Sequence, residues 1–445
     1  MTGDIQPTDT AAKGFDRRTM LKAAGGSALA VALAGCSDLL SGSEDDGGNG
    51  GEEIPDEPIK AGLQTFTEGA ASVLGLQAQY GAEEAVSRIN DADGVAGREI
   101  QLDVVHEADA HQENYNTFVE EGKDVTFGPI SSGGHLSMLG EIEDSGVINV
   151  STDGTVTTLF EEELTDPTYA FRFQNHDVME AVSAAVTAVE QLGADNIDTY
   201  ANINPNYAFG EDERRLFSAA IEALTDADEV YSGFPDLLAD DMSTHVTSVV
   251  QEEPDVLFTS CWGGDATLLL DQGQGQGMPD ATDIIVGPVL YGSANDYTEG
   301  DIQGNIWSGS RNFYWGFPDT DRWSPGQELF EAAQEAENTI PTAHYMSGYG
   351  AVTAWATAAE KASDIVGGWP SQEQIAATLE NHGFFTPAGY HTMHESHQCY
   401  SKSHFGRMVW SDDIGGPLLE DVSVADPREV SPPPGTSSFD WLENW

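Results

Sequence analysis

The sequence predicts an α/β fold of two doubly wound lobes, and three observations point there. Short apolar runs alternate with amphipathic windows from Ile59 onward. The alternation restarts after a strand-like crossing at Thr168 to Phe173, and the loops after the apolar runs are the ones rich in Ser, Thr, Gly, Asn and aromatic residues. Strand-length runs separated by helical windows argue for βαβ units around parallel sheets. Right-handed crossovers then bring the loops after the strands to one edge of each sheet.

The elements follow in order. Ile59 to Thr65 reads as a strand, Leu74 to Asn90 as a helix, Ile100 to His106 as a strand and His111 to Glu121 as a helix. The apolar run Val125 to Gly128 ends in a hydroxyl-bearing turn, Pro129-Ile130-Ser131-Ser132-Gly133-Gly134, before a helix from Leu136 to Asp144. Free backbone N–H groups at that helix start, with two serine hydroxyls, suit a carboxylate or another acceptor-rich group, and the plainer role of either serine is to cap the helix. Val147 to Ser151 is the next strand. The second cycle reads helix Val178 to Leu192, strand Ile197 to Ala201, helix Gly210 to Leu224, strand Val230 to Gly233 and helix Ser243 to Glu252. It continues with strand Val256 to Ser260, helix Asp265 to Gln272 and strand Ile284 to Val286. The remaining third holds a strand at Ile306 to Gly309, helices at His344 to Ser363 and Gln372 to His382, and a looser tail.

At 445 residues the chain accommodates two domains and extensions, at about 150 residues each. The 76 acidic against 17 basic residues give a formal charge of −59, yet 39% of residues are hydrophobic and 9% aromatic, too many for a disordered acidic tail. Acid spread along the whole chain, with lysine scarcer than arginine, resembles proteins of extreme halophiles. Such self-repulsion is screened at about 1 M salt, where the Debye length is about 3 Å. The same charge disfavours nucleic-acid binding.

Paired Arg17 and Arg18, a weakly apolar run from Ala23 to Gly35 and small residues before Cys36 are similar to a twin-arginine signal followed by a lipobox, of the haloarchaeal type. The run is too short to span a bilayer of about 30 Å. Residues 1–36 are therefore read as signal and lipobox, with Cys36 lipid-modified, and 37–57 as a flexible acidic tether of Gly, Ser, Asp and Glu. Diacylation would hold the body at the outer face of the membrane.

The body resembles the branched-chain amino acid and amide class of ABC-transporter substrate-binding proteins, leucine-binding-protein-like. The matching segments are Gly81 to Asn90 with Gly94 to Ile100, Gly128 to Ser132, Val147 to Ser151, Asn204 to Gly210, Trp262 to Asp265 and Thr386 to Gly389. The resemblance implies a type I periplasmic binding fold, two Rossmann-like lobes joined by a three-segment hinge, with solute held in the cleft and the closed form offered to ABC permease and ATPase subunits. Its expected divisions are 58–173 for lobe 1, 174–296 for lobe 2, 297–385 for the second part of lobe 1, 386–425 as a return to lobe 2 and 426–445 as a C-terminal tail. A monomer without cofactor or catalysis is implied. A sensory domain of the same fold, signalling to a membrane receptor, is the alternative.

Carried over by position, Ser131 matches the family's carboxylate-binding serine, with Ser132 read as the helix cap. Asp153 and Thr155 match first-lobe contacts, and Tyr207, Trp262 and Gly263 match segments that close from the second lobe. Two departures stand out. Leu74 replaces an aromatic before Gly75, and Gly287-Pro-Val-Leu-Tyr291 lacks the glutamate that would meet an ammonium group. Amino acids, amides, urea and aromatic or aliphatic acids all stay open as ligands.

Other motifs carry less. His391, His394, His397 and Cys399 fit no zinc spacing. Gln272 to Gly277 lacks the Lys-Ser/Thr of a phosphate loop and reads as a helix C-terminal turn. No Gly-x-Ser-x-Gly elbow occurs.

Overall fold

The computed structural model describes residues 51–108, 110–317, 324–433 and 435–445. Arg17, Arg18, Cys36 and most of the expected tether lie outside them.

Strand β1 (Ile59–Thr65) is buried along nearly its whole length, as expected of a parallel strand covered on both faces. It pairs on one side with β2 (Ile100–His106) and on the other with β3 (Val125–Phe127), which is followed by β4 (Asn149–Ser151) and β5 (Ala170–Arg172). All these pairings are parallel, in the order β2-β1-β3-β4-β5. Helices α1 (Ser72–Asp91), α2 (His111–Glu120) and α3 (Ser132–Ser145) connect them.

The second sheet repeats this order. Strands β6 (Thr199–Ile203), β7 (Asp228–Gly233), β8 (Val256–Thr259), β9 (Ile284–Gly287) and β10 (Ile306–Gly309) run β7-β6-β8-β9-β10, and the antiparallel β14 (Ser403–Ser411) and β15 (Gly416–Ala425) extend it beyond β10. Helices α4 (Asp177–Leu192), α5 (Ala208–Leu224), α6 (Ser243–Glu252) and α7 (Gly264–Gln276) cover it. Helix α7 runs past its expected end at Gln272 and stops at Gly277, whose φ of 80° supplies the left-handed cap.

Helix α8 (Pro325–Glu337) leads to α9 (Ala343–Val366), α10 (Gln372–Leu379) and a small sheet of β11 (His382–Thr386), β12 (Gly389–Met393) and β13 (Cys399–Tyr400). These return to the first lobe: Trp355, Phe384, Met393 and Cys399 share one buried core with Ile59, Leu63 and Phe127. Helix α9 lies close on α1 because glycines face backbone at both contacts. A Cβ at Gly81 would sit 1.8 Å from the Tyr345 carbonyl, and one at Gly348 would sit 1.9 Å from that of Ala78.

Two expected boundaries move. β10, expected in the second part of lobe 1, is the fifth strand of the second sheet, so the crossing begins near Ser310 rather than at 297. The segment 386–400, expected in lobe 2, stays with the first core through β12 and β13, and the return begins at β14. The crossings are laced together. Asn175 donates to the Lys402 carbonyl at 3.2 Å and Ser401 to Asn175 at 2.6 Å, while the Ser310 N–H donates to the His404 carbonyl at 2.9 Å and the His404 N–H to the Arg311 carbonyl at 2.8 Å.

The tail is not loose. Its short helices α11 (Pro427–Val430) and α12 (Ser438–Leu442) bury Val430 and Leu442 against the second lobe. Ser438 caps back to the first lobe, giving its N–H and hydroxyl to Glu161 at 2.7 and 2.6 Å. Cys261 and Cys399 are buried free thiols in different cores.

Candidate functional site

The carboxyl edges of both sheets face each other, and the loops after β3, β4, β6, β8, β9 and β10 meet there. They enclose a small cavity of about 20 Å³, the room of one or two waters. The first lobe lines it with Leu74, Ile130, Ser132, Asp153 and Thr155, and the second with Tyr207, Phe209, Trp262, Val289 and Arg311. His344, from the start of α9, completes the wall. An apolar cluster spans the gap: Leu74 and Ile130 pack with Phe209, Trp262 and Val289.

The serine pair is reversed relative to expectation. Ser131 is extended (φ −63°, ψ 123°) and its hydroxyl accepts from the Gly134 N–H at 3.0 Å, which makes it the cap of α3. Its N–H is held by buried Glu107 at 2.7 Å. Ser132, one residue into the helix, is the serine that lines the cavity. Gly263 also differs from expectation. It stands outside the cavity wall, and with Gly264 it seats the second lobe on the first: the Gly264 N–H donates to the Ala70 carbonyl at 3.1 Å, and a side chain on Gly263 would sit 3.0 Å from that oxygen.

Asp153 and Thr155 are where the sequence places them, both buried on the cavity wall. Asp153 is already paired. Its Oδ2 meets Arg311 Nη1 at 2.5 Å and His344 Nε2 at 3.1 Å. Burial opposes its ionisation, but Arg311 and His344 outweigh burial and hold the carboxyl below its ordinary value. Burial likewise lowers His344, so its imidazole is neutral near pH 7 and donates from Nε2. Arg311 keeps its charge despite burial because Asp153 and Glu180, whose Oε1 lies 2.9 Å from Nε, both favour it.

On the facing wall, Trp262 Nε1 donates to the Tyr207 hydroxyl at 3.0 Å. That leaves the phenol proton free to donate to a third group. Phe66 stands beside the Trp262 ring, 6.2 Å between centroids.

Residues 58–412 match the family model described as periplasmic binding protein. The chain belongs to the periplasmic binding protein family. Among its relatives, Leu/Ile/Val-binding protein homolog 1 of Brucella abortus is 23% identical over 333 residues, 74% of this chain and 83% of that one. Leu/Ile/Val-binding protein BraC3 of Rhizobium johnstonii is 24% identical over 224 residues, and the match spans 57% of its length. Solved periplasmic binding proteins share the fold. A solute-binding protein of an R. palustris ABC transporter, in complex with benzoate, superposes with a TM-score of 0.69 at 14% identity, covering 83% of this chain and 98% of that one. A leucine-binding protein from Thermotoga maritima gives 0.68 at 16%, covering 83% and 99%.

Sequence reasoning missed Arg311 and His344. A signal for Arg311 existed: an arginine just past a strand end, in a chain with only 17 basic residues. Placing β10 in the wrong lobe hid it. His344 carried no comparable signal, since its role appears only once α9 packs against the first lobe.

Proposed function

We propose that the chain is the extracellular solute-binding component of an ABC importer, and that its cleft takes a small carboxylate with an apolar body by hinge closure, without covalent chemistry. The pairing of Asp153 carries this reading. The one acid on the cavity wall is taken by Arg311 and His344, so an ammonium group finds no free carboxylate there. Arg311 still has N–H groups beyond those given to Asp153 and Glu180, since a guanidinium carries five donors. With the hydroxyls of Ser132, Thr155 and Tyr207, these donors suit a carboxylate, while Leu74, Ile130, Phe209, Trp262 and Val289 suit an apolar or aromatic body. The benzoate-bound structural neighbour takes a ligand of this chemistry. The small cavity requires the lobes to part before such a solute enters.

In this reading the protein is a monomer exported through a twin-arginine signal, held by lipid at Cys36, and docked on permease and ATPase subunits. Its acidic surface serves molar salt. Mass spectrometry of the mature protein is expected to find a lipid-modified Cys36 at the N-terminus; unmodified residues upstream of it would contradict the anchor. The ligand reading is tested by thermal shift in about 3 M KCl with benzoate, 4-methylpentanoate, leucine and urea. A ligand at 100 times its Kd stabilises by about 2.7 kcal/mol. The acids are expected to raise the melting temperature, leucine and urea not; a shift with leucine and none with 4-methylpentanoate would overturn the carboxylate assignment.

A further inference from the structure

Directly behind Arg311 lies a group that the solute cleft does not use. Asp177 and Glu180 come from the first turn of α4 and Glu213 from α5. Their side chains are at most 1% exposed, and one carboxylate oxygen from each lies within 4.8 Å of the others. Calcium takes oxygen ligands at about 2.4 Å, so the three oxygens are close enough together to share one ion. Neither oxygen of Glu213 has a hydrogen-bond partner, in a fully buried side chain directed into the cluster. The two oxygens of Asp177 are likewise without a hydrogen-bond partner, and Glu180 has Arg311.

Charge counting gives the same answer. In this layer four buried carboxylates, Asp153, Asp177, Glu180 and Glu213, face two buried guanidiniums, Arg172 and Arg311. Asp212, at the outer side, has Arg215 at 3.7 Å and the Thr158 N–H. The nearby His135 and His176 are driven by burial to about 3 and supply no positive charge. With all four ionised, two negative charges stay uncompensated, and buried charge without a partner is costly. Without a cation, therefore, burial and the neighbouring carboxylates raise Asp177 and Glu213 well above the ordinary carboxylate range. A single divalent cation closes the count, and an all-oxygen donor set selects a hard one.

We propose that Asp177, Glu180 and Glu213 bind one calcium ion in the second lobe, beneath the solute cleft. Backbone or water oxygens complete its shell. Because Thr155 and Arg311 touch both the cleft wall and this cluster, the ion enters and leaves when the lobes part.

The test uses the full chain, stripped with EDTA in about 3 M KCl, so that surface acids are screened. Equilibrium dialysis against radioactive calcium is expected to retain one ion per chain, and calcium at 100 times its Kd to raise the melting temperature by about 3 °C. Glu213→Gln is expected to abolish both, and to melt no lower than stripped wild type because a neutral amide replaces a carboxyl whose ionisation burial already opposes. Asp177→Asn repeats the comparison if Glu213→Gln does not fold. No retained ion in wild type would overturn the proposal and assign the cluster to shared protons. Equal retention in wild type and either variant would overturn it by placing the calcium on the surface.

Discussion

The fifth strand of each sheet delivers a buried arginine, and the two arginines live differently. Arg172 ends β5, and its Nη1 donates to the carbonyls of Gly154 and Val156 at 2.8 and 2.9 Å, while Nη2 reaches Gln398. Arg311 stands two residues past β10 between the carboxylates of Asp153 and Glu180. Burial dominates Arg172 and pushes it down to about 10, whereas at Arg311 paired carboxylates overcome the same burial and push it up. Burial alone does not decide what an arginine is for. One held by neutral dipoles ties loops together; one held by ionised groups in a cleft can exchange partners with a solute.

The comparison breaks most visibly at Arg172. Arg172→Met leaves three buried acceptors unpaired, each costing about 1 kcal/mol or more, so denaturant unfolding in molar salt is expected to show a loss of at least about 3 kcal/mol. A loss under about 1 kcal/mol would make Arg172 dispensable to the fold. The converse variant is Asp153→Asn with Glu180→Gln and Arg311→Gln, which removes both ion pairs of Arg311 but keeps their shape. It is expected to retain most stability and to lose about 100-fold in solute affinity, the equivalent of two charge-assisted hydrogen bonds.

The serine pair sharpens the contrast between scaffold and contact. Ser131→Ala removes a cap and is expected to cost about 1 kcal/mol of stability with affinity retained. Ser132→Ala is expected to leave the melting temperature within about 2 °C and to weaken binding about fivefold, one neutral hydrogen bond. Smallest is Trp262→Phe, which frees the Tyr207 hydroxyl from its donor while keeping an aromatic wall. A two- to threefold change in affinity by calorimetry is expected, about 0.5 kcal/mol.

Element order up to β10 was legible in the sequence, because apolar periodicity marks it, whereas helix α8 and strands β11 to β15 were not. Lobe membership was not legible for β10. Its four residues read as a strand, but only the repeat of the order 2-1-3-4-5 in both sheets shows which sheet it completes. Asp153, Thr155, Tyr207 and Trp262, which line the cavity, were legible through the resemblance, because they stand in loops that follow strands. The choice between Ser131 and Ser132 turns on which backbone is extended, and two adjacent serines carry no such information. Arg311 and Asp153 are 158 positions apart, so their pairing exists only in the folded chain, and with it the basis of the proposal that the cleft takes an acid.

The central claim is that Arg311 receives the solute's carboxylate. Titration calorimetry of the acid giving the largest melting shift, into wild type and Arg311→Lys in about 3 M KCl, tests it most directly. Lysine keeps the charge but loses the planar fork, so binding is expected at one solute per chain in wild type and at least about tenfold weaker in the variant. Equal affinity in the two proteins would remove Arg311 from the site.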